Sequence, residues 1–339
     1  MIEYFCKIEM KKVRTFYLGY DIKTAYLINS DERFELVGVA LISELLELNT
    51  FNIFDSIFRF LYKCKIKNKH LIFQPFLVFI LHIFRKLLSN LYSKYADYLF
   101  FLIKNNVKVV RENNIQKDWN IDVFIVNNWW KLSSSILLIP HYGCINIHPS
   151  ILPMYRGSLP TLWSLKNGDN YSAVSFILLD SKIDAGPIIS QYKFKIMKQD
   201  NSIDLEYKIE EIVSKYLLND IIKYVNGLVI PYAQSEEHIS FTDKYYNYMQ
   251  IRFNVESSVE IRNKVKLYPY LFPIDLCYFF LGKRKIYIRN CSISSKNIGS
   301  DITKIIGLNL YIKCIDGKLI VIKLFKDINI VESLYIIFH

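Results

Sequence analysis

The chain has 339 residues, more than one typical domain holds and enough to bury a full core without disulfides or metals. It is 52% hydrophobic and 15% aromatic, and 43 Lys and Arg against 32 Asp and Glu give a formal charge of +11. Six scattered cysteines, none in a C-x-x-C pair, exclude a disulfide framework, argue against zinc and fit a reducing cytoplasm.

Residues 1–12 read as an N-terminal extension. Glu3, Lys7 and Glu9 stand where a signal peptide needs an apolar core. The run Met10-Lys11-Lys12-Val13 has the look of a natural chain start, so Met1 to Glu9 are expected to carry no role. Val13 to Leu18 then reads as a buried strand, Gly19-Tyr20-Asp21 as a tight turn, Ile22 to Ile28 as a short helix and Phe34 to Ala40 as a second strand. This βαβ opening points to a parallel sheet covered by helices. The turn after the first strand holds a single glycine, Gly19, so the G-x-G-x-x-G of dinucleotide binding is missing.

Phe51 to Tyr92 interrupts the alternation with an apolar, helical insert. Its most apolar part, Leu71 to Phe84, is shorter than the ~20 residues a membrane span needs. The insert is expected to be a helical hairpin packed on its own domain or on a second subunit, as in a homodimer. The alternative is a peripheral membrane anchor, helped by Lys63, Lys65, Lys67, Lys69, Arg85 and Lys86. Beyond it a helix is expected over Ala96 to Lys104. Strands are expected over Val107 to Val110, Ile121 to Val126 and Cys144 to Ile147. A helix over Leu159 to Lys166, strands over Ala173 to Leu179 and Ile188 to Phe194, and a long amphipathic helix over Ile203 to Tyr224 follow. Gly227 to Glu237 is the linker. Further strands are expected over Ile274 to Phe280, Lys285 to Ile288, Leu308 to Ile315 and Leu319 to Leu324, the last two joined at Asp316-Gly317 as a hairpin. The chain is therefore read as an α/β, Rossmann-like catalytic domain over 13–230, carrying the insert 51–92, and a smaller, mostly β domain over 236–339.

The chemistry concentrates in Gly143-Cys144-Ile145-Asn146-Ile147-His148-Pro149-Ser150-Ile151-Leu152-Pro153-Met154-Tyr155-Arg156-Gly157. A strand that ends in Asn-x-His puts Asn146 and His148 on one face at its carboxyl end, where open α/β sheets bind ligands. The loop Asp180-Ser181-Lys182-Ile183-Asp184-Ala185-Gly186 between two strands can bring Asp184 back to His148. When an amine attacks a carbonyl carbon, a tetrahedral intermediate with an oxyanion forms. An amide NH2 and an imidazolium are suitable donors to that oxyanion. A nearby carboxylate favours the charged imidazole and relays the amine's proton. No metal is needed.

In these motifs the sequence resembles the N10-formyltetrahydrofolate-dependent formyltransferases. That family includes enzymes acting on methionyl-tRNA, on glycinamide ribonucleotide and on amino sugars. The resemblance rests on N-x-H-P-S-x-L-P-x-Y-R-G and on the D-x-G loop, and runs from about Val13 to Ile230. It implies that Asn146 and His148 polarise the formyl group and that Asp184 orients His148. It also implies that the pterin of N10-formyltetrahydrofolate lies against backbone groups of Trp130, Lys131 and Leu132 and against Ser181, Lys182 and Ile183. The tail resembles the OB-like carboxyl domain of some members. Ala173 and Ser175 stand where the family often has Gly and Thr, and Trp129 and Trp130 are bulkier than usual.

The acceptor amine has two readings. His148-Pro149-Ser150 and Trp163-Ser164-Leu165-Lys166-Asn167-Gly168 resemble the amino-sugar members, and the basic loop usual in tRNA-acting members is missing. A nucleotide-linked amino sugar is therefore expected, with its diphosphate suited to the basic balance. An OB-like tail and positive charge favour tRNA instead. The abundance of Lys, Asn, Ile, Tyr and Phe is also what AT-rich coding produces, so the charge alone decides neither. From a different class, a silent folate- or nucleic-acid-binding protein would share the fold, but the complete Asn146, His148 and Asp184 set argues against it.

Overall fold

In the computed structural model the residues described are 11–19, 21–40, 101–102, 104–105, 107–110, 114–127, 132–242, 250–267, 277–288 and 290–324. The insert expected over 51–92, residues 1–10 of the extension, and Trp129, Trp130 and Lys131 lie outside them.

The chain opens with β1 (Val13–Leu18), α1 (Ile22–Ser30) and β2 (Phe34–Ala40), and continues with β3 (Lys108–Val110), β4 (Val123–Asn127), α2 (Ser134–Leu137) and β5 (Cys144–His148). It continues through β6 (Arg156–Gly157), α3 (Pro160–Asn167), β7 (Tyr171–Leu178), β8 (Ile188–Lys195), the long α4 (Ser202–Val225) and β9 (Phe241–Thr242). The remainder is α5 (Ser258–Val265), β10 (Tyr278–Leu281), β11 (Arg284–Tyr287), β12 (Ser292–Ser294), β13 (Thr303–Ile306), β14 (Asn309–Lys313) and β15 (Leu319–Lys323). The expected elements that fall on described residues recur with ends moved by a few residues, which is where helix and strand boundaries are least determined.

A seven-stranded sheet runs β3-β2-β1-β4-β5-β7-β8. The pairs β1–β2, β1–β4, β2–β3 and β4–β5 are parallel, as the opening βαβ pattern requires. Parallel strands are covered on both faces, so they read as continuous apolar runs rather than alternating ones. Accordingly Phe16, Tyr17, Leu18, Phe124, Ile125 and Ile145 are all fully buried. Helix α1 starts where Asp21 accepts from the backbone N–H of Lys23 and Thr24, satisfying donors that the first turn leaves unpaired.

The chain divides into two compact units. In the first, Phe16, Leu18, Phe124, Val126, Leu132, Ile136 and Cys144 share one core. In the second, Leu162 and Leu165 of α3 and Ile261 and Val265 of α5 share a core with Ile286, Leu310, Ile312, Ile320 and Ile322. There a four-stranded sheet runs β12-β15-β14-β13, with its pairings antiparallel. Strands β14 and β15 form the hairpin expected at Asp316-Gly317, and Gly317 takes the positive φ of 75° that the turn needs. Helix α5 had no counterpart in the periodicity, because Ile261 and Val265 are its only buried apolar residues, and Ser258, Asn263 and Lys264 are buried beside them. Its signal was local: Ser257 and Glu260 form a capping box. No helix among the described residues is long and apolar enough to cross a membrane.

Candidate active site

Strand β5 delivers two polar side chains at its carboxyl end because its burial pattern changes there. Cys144, Ile145 and Ile147 are apolar and buried, while Asn146 is half-buried and His148 is buried with only 3% exposure. Gly143 leads into the strand with φ 89°. At the end of β7, the Leu179 N–H donates to the Cys144 carbonyl at 2.8 Å, keeping the following loop beside β5.

That loop returns Asp184 to the strand end. Asp180 Oδ1 accepts from the Lys182 N–H at 2.7 Å and starts the turn. Asp184 takes a left-handed backbone conformation, φ 47°. Gly186 closes the loop so tightly that a Cβ there would lie 1.8 Å from the Leu178 carbonyl oxygen. The D-x-G spacing is thus a steric requirement. Asp184 and Gly186 are each fitted to a backbone path that few other residues follow.

The three polar side chains meet. Asn146 Nδ2 donates to Asp184 Oδ1 at 3.2 Å. His148 Nδ1 stands 3.6 Å from Asp184 Oδ2, within ion-pair reach but longer than a hydrogen bond. Their side chains are 4% and 13% exposed, so the pair operates largely out of water, where charge interactions are strong. The carboxylate lies on the Nδ1 side of the histidine. An amide donor, an imidazole and a carboxylate on one strand end can stabilise an oxyanion and move a proton. Among the described residues no three His, Cys, Asp or Glu side chains gather as a metal site would need.

The residues expected along the pterin divide. Trp130 and Lys131 lie outside the described residues. The Leu132 side chain is buried in the first unit's core, so any contribution from it is through its backbone. Ser181, Lys182 and Ile183 are exposed on the loop that leads to Asp184, with Ile183 at 55%. Ser175, already marked as a departure from the family's usual Thr, is joined here by Gln191. Ser175 is fully buried, and its hydroxyl is hydrogen-bonded by the Gln191 amide at 2.9 Å. A serine within the mostly apolar β7 was the available signal, while Gln191 lies in a β8 that also carries Ser190, Lys193 and Lys195.

The model of the Formyl transferase family matches residues 104–221. A methionyl-tRNA formyltransferase of Ehrlichia ruminantium (strain Welgevonden) is 32% identical over 211 residues, covering 62% of this chain and 67% of that relative. One of Ehrlichia canis (strain Jake) is 30% identical over 228 residues, covering 64% of this chain and 72% of the relative. The chain belongs to the formyl transferase family. It is an enzyme that transfers a formyl group. Solved structures share the formyltransferase fold. The N-formyltransferase from Helicobacter canadensis, crystallised with folinic acid and dTDP-3-aminofucose, superposes with a TM-score of 0.60 at 18% identity, covering 92% of this chain and 99% of that one. WlaRD, a sugar 3N-formyl transferase crystallised with dTDP and 5-N-formyl-THF, gives 0.59 at 18% identity, covering 93% and 97%.

Proposed function

We propose that this formyltransferase takes its formyl group from N10-formyltetrahydrofolate and places it on the primary amine of a nucleotide-linked amino sugar, with Asn146, His148 and Asp184 as the catalytic residues. The observation that carries the catalytic assignment is the meeting of two side chains at the Asp184 carboxylate, Asn146 at 3.2 Å and His148 at 3.6 Å. In this reading the acceptor nitrogen attacks the formyl carbon, a C–N bond forms, and the carbonyl oxygen becomes an oxyanion. Asn146 has two amide hydrogens; one goes to Asp184 and the other is directed to the oxyanion. His148 addresses the same oxygen through Nε2, and Asp184 holds the ring and stabilises its positive charge. Collapse re-forms the carbonyl, the bond to N10 breaks, and N10 takes up a proton while the acceptor nitrogen loses one. Asp184 relays that proton. The donor set fits a reduced folate carrying a formyl group, since it offers hydrogen bonds and a proton acceptor and asks for no metal.

The amino-sugar acceptor is supported by His148-Pro149-Ser150 and by the Trp163 to Gly168 run. In that run Asn167 Nδ2 donates to the Tyr155 hydroxyl at 2.9 Å, and Tyr155 donates to Asp169 at 2.7 Å. The second reading is methionyl-tRNA, favoured by the relatives at 30–34% identity that are methionyl-tRNA formyltransferases. We also propose that residues 13–230 carry the transfer chemistry, that 236–339 form an OB-like domain, and that the enzyme works in the cytoplasm. A homodimer or a peripheral membrane contact through 51–92 remains part of the same reading.

The test is an acceptor screen with N10-formyltetrahydrofolate, following tetrahydrofolate release with amino-sugar nucleotides and methionyl-tRNA side by side. Turnover on a sugar nucleotide alone is the expected result. Turnover on methionyl-tRNA alone, with binding that weakens steeply as salt rises, replaces it with the second reading.

A further inference from the structure

The backbone that leaves His148 is not held by any sheet ladder. Residues 149–154 follow β5 as turn and loop, yet Ser150 is fully buried and Leu152 is 4% exposed. Buried carbonyls need partners, and an irregular segment cannot obtain them from a strand alongside. Part of the demand is met within the turn, where the Ser150 hydroxyl donates to the Met154 carbonyl at 2.8 Å and the Met154 N–H to the Ile151 carbonyl at 3.0 Å. The Ser240 N–H donates to the Pro153 carbonyl at 3.4 Å, and two side chains from the neighbouring strands β7 and β8 serve the carbonyls of Ser150 and Leu152. The Ser175 hydroxyl donates to the Ser150 carbonyl at 2.7 Å. Gln191 Nε2 donates to the Ser175 hydroxyl at 2.9 Å and to the Leu152 carbonyl at 3.2 Å.

The donor count leaves no slack. A hydroxyl has one hydrogen, and Ser175 gives it to Ser150, so Ser175 must receive from Gln191. The Gln191 amide has two hydrogens, and both are spent. The order amide to hydroxyl to carbonyl is therefore fixed, and with it the backbone two residues beyond His148.

We infer that Ser175 and Gln191 are positioning residues for His148, fixing the backbone just beyond it so that its ring stays at the geometry formyl transfer needs. The inference rests on the catalytic assignment proposed above. Displacing a catalytic group by about 1 Å costs roughly 10²-fold in rate. A glutamate at position 191 keeps the shape but sets a carboxylate oxygen against an accepting carbonyl and an accepting hydroxyl. Threonine at position 175 keeps the hydroxyl.

The experiment measures kcat, KM for N10-formyltetrahydrofolate and melting temperature for Ser175→Ala, Ser175→Thr, Gln191→Glu and Gln191→Asn, with His148→Ala alongside. Ser175→Ala and Gln191→Glu are expected to lower kcat by roughly 10- to 100-fold with KM changed less than about threefold, while Ser175→Thr stays near the parent. Gln191→Asn, whose amide sits one methylene short, is expected to fold and to lose kcat in the same way. Full kcat in Ser175→Ala or Gln191→Glu, a loss confined to melting temperature, or a Ser175→Thr as impaired as Ser175→Ala overturns the inference. Full activity in His148→Ala overturns the catalytic assignment instead, so the two failures are told apart.

Discussion

Asp184 sits in the left-handed region at φ 47°, where Asn and Asp are tolerated far better than branched or bulky residues. That makes Asp184→Asn a clean probe, because it keeps the backbone and removes only the charge. Gly186 is a different kind of requirement. With 1.8 Å between a new Cβ and the Leu178 carbonyl oxygen, Gly186→Ala must push the loop away from β7 and carry Asp184 with it. Gly186→Ala is expected to lower kcat by about 10²-fold while leaving donor KM within a few-fold, read from steady-state kinetics. The buried thiols are chemically quiet. Burial pushes Cys144 and Cys277 up to about 12 and Cys314 to about 11, so the nucleophilic thiolate is scarce near neutral pH. Peptide mapping after alkylation of the folded enzyme at pH 7.5 is expected to leave these three unmodified. Rapid labelling of Cys144 would contradict its burial. At this scale much of the candidate site was legible in the sequence: the types and spacing of Asn146, His148 and Asp184 anticipated that the three side chains come together. The bonds of Ser175 and Gln191 were not legible, since a hydroxyl and an amide within a strand declare their partners only when the strands are paired.

Elements with a strong period or a sharp turn signal were readable, and those without one were not. Strands β1, β2 and β4 are apolar runs, and the β14–β15 hairpin is marked by Asp316-Gly317. Strands β12 and β13 are short, only partly buried and rich in Ser, Thr and Lys, so no two-residue alternation marks them. Helix α5 depends on its cap. Ser257 accepts from the Glu260 N–H, and the Glu260 carboxylate accepts from the Ser257 N–H at 2.7 Å. The bond from the Ser257 backbone N–H, together with its hydroxyl, holds the Glu260 carboxyl below its ordinary value of 4.5. A carboxyl depressed in the folded state adds stability above its unfolded value and loses it as pH falls through the folded one. Ser257→Ala is therefore expected to cost about 1 kcal/mol at pH 7, from denaturant titration, and the difference to shrink below pH 4. A constant difference down to pH 2 would mean that the carboxylate takes no part.

For the whole molecule, the fold follows from burying a parallel sheet on both faces and from setting polar groups at the carboxyl end of β5. The identity of the acceptor does not follow from that geometry, because the transfer chemistry is the same for any primary amine. Charge supplies a discriminating measurement. With a formal charge of +11, an enzyme acting on tRNA releases several counterions on binding, and its KM for that acceptor should climb steeply with salt. A sugar nucleotide contacts few charges. On the favoured reading kcat/KM is expected to change by less than about tenfold between 50 and 200 mM salt, against about 10³-fold or more for an acceptor held by many phosphate contacts.

The central claim is that three side chains, Asn146, His148 and Asp184, carry formyl transfer. Its most direct test is tetrahydrofolate release from N10-formyltetrahydrofolate by the parent enzyme, His148→Ala and Asp184→Asn, each first shown by circular dichroism to be folded. Turnover is expected to fall by at least about 10²-fold in both variants. Near-parental turnover in both would contradict the assignment and move the search for the catalytic groups away from the end of β5.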